Sequence, residues 1–165
     1  MDYIQFALSN FGLSMFALAI LFILIHLSLR LKHVSYAEIV YRWMALFALG
    51  LTGIYAFIMH VFFSDISAAA IGWATSPFQF EVGMADLAVG LLGVLSFRSH
   101  YSFRVATVIA AICILWGDAV GHIYQMIMFQ NFNPGNAGSW FALDVIVPAI
   151  LLLCIIKLKP VHRHQ

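Results

Sequence analysis

Charge is what this chain has least of. Only 9% of its 165 residues are Asp, Glu, Lys or Arg, against 64% hydrophobic. A soluble domain carries roughly 25% charged residues. Too little charge remains to cover a water-facing surface, so the composition specifies an integral membrane protein and excludes a nucleic-acid-binding one. The start, MDYIQFALSN, is acidic. It lacks the basic segment that opens a removable signal peptide, so the first apolar stretch is expected to remain as a helix. Cysteine is scarce as well. Cys113 and Cys154 lie in apolar runs without a CxxC spacing and are read as small core residues.

Long apolar runs are what the chain has. A bilayer core needs about 20 apolar residues per helix. Five such runs occur, over roughly 10–29, 43–63, 78–97, 104–129 and 139–157. The connections LKHVSYAEIVYR and RSHYSFR are polar and basic, and NFNPGNAGS carries a strong loop signal. Ser76, Pro77 and Gln79 predict an N-cap, a proline in the first turn and a capping-box partner; Ser139 predicts a similar start for the last span. The segment ISAAAIGWATS is too short to cross and is expected to lie at the interface or re-enter. No internal repeat is visible. The fold class is therefore all-α: one transmembrane domain, residues 1–165, built as a bundle of five helices.

Lysine and arginine are absent from one side of that bundle. All eight fall on alternate connections: Arg30, Lys32 and Arg42; Arg98 and Arg104; Lys157, Lys159 and Arg163. The other side holds Asp2 and Asp65. The positive-inside rule then puts the N-terminus outside and the C-terminus in the cytoplasm, with Trp73 and Trp140 at the outer interface.

With helices rising about 1.5 Å per residue, His60, Glu81, Asp86, Asp118, His122 and Asp144 all fall in the outer half of the membrane. Asp118, His122 and Gln125 follow i, i+4, i+7 and share a stripe, as do Gly83, Asp86, Gly90 and Gly93, and Gly53, Ala56 and His60. Gly117 and Gly121 add a GxxxG pair. Glu81 is turned well away from Asp86 on its helix. Charged groups in a membrane face a bundle interior or a cavity. Four carboxylates without a lysine or arginine nearby must be protonated, paired with imidazolium or bound to a cation.

Carboxylates and imidazoles on facing helices make a ligand set for iron, zinc, manganese or copper. The leading expectation is thus a transition-metal site, with Asp118 and His122 as first ligands, then Asp86, Asp144 and His60, and Glu81 as a catalytic base or rim ligand. Whether the site performs chemistry, making the protein an enzyme, or handles the metal stays open. The alternatives are a proton- or cation-coupled transporter, a metal-free acid/base isomerase or binder of an apolar lipid, a haem anchor on His60 and His122, and a passive subunit of an oligomer or larger complex. The expected partners are membrane lipids and a small apolar or ionic substrate. Against a transporter, no span is interrupted at mid-membrane except where Pro148 sits. His26, in the inner half, either relays protons or reaches for the interface. His33, His100, His162 and His164 are expected at the surface.

The stretch FQFEVGMADLAVGLLGVLSF, followed by WGDAVGHIYQM, resembles an uncharacterised family of small polytopic bacterial membrane proteins. The likeness covers spans three to five, a little over half the chain. It implies a bacterial inner-membrane location and carries no activity over to this chain.

Overall fold

The computed structural model describes residues 8–29 and 34–160. Asp2, Arg30, Lys32, His33, His162, Arg163 and His164 lie outside the described residues. Among those described, the chain is helical and without strands. Five segments are long and apolar enough to cross a membrane: α1 (Phe11–Ser28), α2 (Tyr36–Phe62), α4 (Phe78–Ser96), α5 (Tyr101–Phe129) and a last span, Pro134–Leu158. That last span consists of a short turn, α6 (Pro134–Ala137), and a long helix, α7 (Ser139–Leu158). Helix α3 (Ser64–Ile71) lies between α2 and α4.

Span two begins seven residues before the apolar run. Ser35 accepts a hydrogen bond from the Glu38 N–H, capping a helix that the polar segment YAEIVYR extends towards water. The S-x-x-E spacing is the capping-box signature, and its amphipathic turn places Ile39 and Tyr41 in the core. The capping box expected at Ser76 does not form. Helix α4 starts at Phe78, and the Gln79 amide donates to the Ser64 carbonyl instead, tying α4 to α3. Helix α3 ends on Gly72 at φ 78°, the left-handed conformation that glycine adopts without a Cβ penalty.

Helices α2 and α4 approach backbone to backbone. A Cβ on Gly90 would lie 2.8 Å from the Ile54 nitrogen, and one on Gly53 would lie 2.8 Å from the Asp86 carbonyl oxygen. The glycine stripe on span three thus has the role expected of it. The Gly117–Gly121 pair does not: a Cβ at Gly117 would meet nothing within 4 Å. Both α2 and α5 contain widened turns with i→i+5 hydrogen bonding, at Met44–Leu51 and Ile112–Trp116. Such turns rotate the downstream residues relative to a straight helix and recur at functional sites. The polar stripes of Gly53–His60 and Asp118–His122 both lie just beyond one.

At the end carrying the described basic residues, Arg104 is buried and forks onto Glu38, with Nη1 to Oε2 and Nη2 to Oε1 at 2.9 Å. Its Nε donates to the Ser96 carbonyl and its guanidinium lies over the Tyr41 ring. Arg42 adds a second contact to Glu38. This clamp joins the starts of α2 and α5 to the end of α4. Cys154 is buried as expected, whereas Cys113 is exposed on α5.

Candidate functional site

At the opposite end, the bundle holds a cavity of about 560 Å³ bounded by α2, α3, α4, α5, α6 and α7 and by Leu8 and Ser9, which precede α1. Its wall is mainly apolar. Into it project His60, Asp86, Asp118, His122 and Asp144. The structure therefore brings together five of the six residues singled out from depth and helical spacing. Glu81 is the sixth; it is exposed and lines no part of the cavity. Gln125 continues the Asp118–His122 stripe but faces a separate surface hollow with Trp73, Asn131 and Asn133.

Each acid comes from a different helix: Asp86 from α4, Asp118 from α5 and Asp144 from α7. All three line the same cavity. Among the described residues, no lysine or arginine lines the cavity. Asp86 sits where α2 and α4 touch through glycines, and only 9% of it is exposed. Asp144 precedes Pro148 by one turn. Helix α7 runs on through Pro148, but proline has no N–H to give to the Asp144 carbonyl. The Trp116 indole donates to the next carbonyl, that of Val145.

His122 is the most constrained polar group in the cavity. Its Nδ1 is 2.8 Å from Asn136 Oδ1, and its Nε2 is 3.6 Å from Asp144 Oδ2. The ring contacts those of Trp73 and Phe141. Asn136 is fully buried in α6 and also accepts from the Trp73 indole. Residue-by-residue reasoning missed Asn136 and treated NFNPGNAGS as loop alone. An asparagine in a loop has no period to mark it as buried; its partners come from elements 14 and 63 residues away. His60 is less constrained, with Nδ1 3.4 Å from Ser67 Oγ. His26 lies outside the cavity, where its Nδ1 accepts from the Trp43 indole and its Nε2 is buried without a hydrogen-bond partner among the described residues.

Among the described residues, no group of three or more His, Cys, Asp or Glu side chains is gathered as it would be around a metal ion. What the arrangement offers is an apolar chamber with three acids and an oriented imidazole on its wall.

A model of a family of unknown function (DUF6790) matches residues 9–164, and the chain belongs to that family. No curated protein and no solved structure matches it.

Proposed function

We propose that this five-span family member binds a largely apolar small molecule carrying a cationic group, such as a protonated amine, with Asp86, Asp118 and Asp144 holding the cation. The observation that carries this reading is the coincidence of three carboxyl groups, unaccompanied by lysine or arginine among the described residues, on the wall of one mainly apolar cavity. Small-molecule sites are typically apolar clefts of roughly 300–1,000 Å³ with a few placed polar groups, and the cavity volume of about 560 Å³ falls in that range. Carboxylates out of water need a proton or a countercharge; a ligand cation supplies the second while its apolar body covers the walls. The same acids and His122 are the groups an acid/base isomerisation of an apolar lipid would use.

The test is thermal unfolding of detergent-purified protein with a long-chain alkylamine and with the matched alcohol. The amine is expected to stabilise by about 2.7 kcal/mol at a hundredfold excess over its Kd, and the alcohol by much less. Asp118→Asn is expected to weaken amine binding about tenfold, or 1.4 kcal/mol. Equal effects of amine and alcohol, unchanged in Asp118→Asn, would contradict the reading.

One observation favours a second reading, a transition-metal site for iron, zinc, manganese or copper. A ligating histidine usually gives its other ring N–H to an acceptor, and His122 is anchored in that way with Nε2 turned to Asp144. Elemental analysis of protein purified without a nickel column or chelator tests it. Stoichiometric metal that is lost in both Asp118→Ala and His122→Ala would make the metal the ligand; metal-free wild type would reject it.

For setting, we propose the bacterial inner membrane, with the N-terminus outside and the C-terminus in the cytoplasm. Support comes from the one-sided distribution of lysine and arginine. The cavity then faces the outside.

A further inference from the structure

Asn136 has its full hydrogen-bonding capacity committed. Its Nδ2 donates to the Asn131 carbonyl at 2.9 Å and to the His122 carbonyl at 3.3 Å. Its Oδ1 accepts from the Trp73 indole at 3.2 Å and faces His122 Nδ1 at 2.8 Å. An amide offers two donor hydrogens and two acceptor lone pairs, and all four are used. Reversing the amide would set its NH2 against the indole N–H, a donor only, and its oxygen against two carbonyls, acceptors only. With no exposure to water, those lost bonds would have no replacement. The amide is thus locked with its oxygen towards His122. An oxygen there requires a proton on Nδ1.

This lock restricts the imidazole on both sides. With Nδ1 committed as donor, Nε2 of the neutral ring carries the lone pair. Nε2 faces Asp144 Oδ2 at 3.6 Å, on the wall that also carries Asp86 and Asp118. On the other side, Nδ1 is held on Asn136 Oδ1 and is not free for a ligand.

From this we infer that Asn136 and Trp73 are positioning residues that hold the neutral His122 ring in its Nδ1–H form, so that Nε2, beside Asp144, turns its lone pair to the molecule bound in the cavity and accepts a hydrogen bond from that molecule's N–H. The inference rests on the ligand-binding reading of the cavity.

The test reads the ring itself, without a ligand, so its failure is separate from any failure of alkylamine binding. Long-range proton–nitrogen correlation spectra of ¹⁵N-histidine protein are recorded from mildly acid to strongly basic solution, with His122→Gln assigning the signal. Asp144, Asp86 and Asp118 face the same space, so each titration is repeated in Asp144→Asn. The neutral ring of wild type is expected in one tautomer, protonated at Nδ1. In Asn136→Ala, and in the milder Trp73→Phe should the first not fold, it is expected to become a mixture. A wild-type neutral ring protonated at Nε2, a tautomer unchanged in the folded variant, or a ring doubly protonated throughout would each overturn the inference.

Discussion

Whether a glycine matters here depends on what its missing Cβ would touch. At Gly90 the neighbours are backbone atoms of α2, which cannot swing aside. Gly90→Ala is therefore expected to cost about 1–3 kcal/mol through overpacking. Gly117 is equally helical but has open space around it; Gly117→Ala is expected to stabilise by about 0.5–1 kcal/mol by removing backbone freedom. Thermal unfolding of the two variants in one detergent checks the contrast, and equal shifts would contradict the packing described. The cavity acids follow the same logic of surroundings. Asp86 and Asp144 owe their place to a glycine contact and a proline turn respectively, features of the backbone rather than of the carboxyl group.

Among the elements, α2 and α4 are joined by glycine contacts near the middle, and the Glu38–Arg104 clamp at the basic end ties both to α5. Arg104 is buried and its removal leaves Glu38, among the described residues, with Arg42 alone, so Arg104→Ala is expected to cost about 3–5 kcal/mol, as for a broken buried pair. The more exposed Arg42 pair is an i,i+4 contact, and Arg42→Ala is expected to cost about 0.3–0.5 kcal/mol. Chemical or thermal unfolding distinguishes a tenfold disparity from parity. Spans and glycine stripe were legible in the sequence because hydrophobic length and helical period are local properties. Depth could be counted along each span, and so the shared layer of Asp86, Asp118, His122, Asp144 and His60 could be read as well. The clamp was not legible: Arg42 and Arg104 look like topological charges until the fold brings Glu38 and Arg104, 66 positions apart, together. The widened turns leave no period of their own, and Asn136 had no neighbour in sequence to mark it. Gly117–Gly121 shows the reverse failure, a packing motif whose face meets no helix.

Across the whole molecule the polar groups divide into two ends with different chemistry. The basic end is closed by paired charges and stacked aromatics, with Arg104 over Tyr41 and Trp43 against Phe97. The other end holds the cavity, where three acids have no lysine or arginine partner among the described residues. A reporter fused after residue 165 is expected to be active only on the cytoplasmic side, and activity outside the membrane would invert the proposed orientation. The proposal that the cavity takes an apolar cation is best tested by photolabelling with a long-chain amine bearing a diazirine near the nitrogen, with peptide mapping of the labelled sites. Labels are expected on cavity-lining residues of α2, α4, α5 and α7 around Asp86, Asp118 and Asp144, displaced by unlabelled alkylamine and reduced in Asp118→Asn. Labels confined to exposed apolar positions such as Leu95, Ile127 and Leu153, with no displacement by competitor, would contradict it.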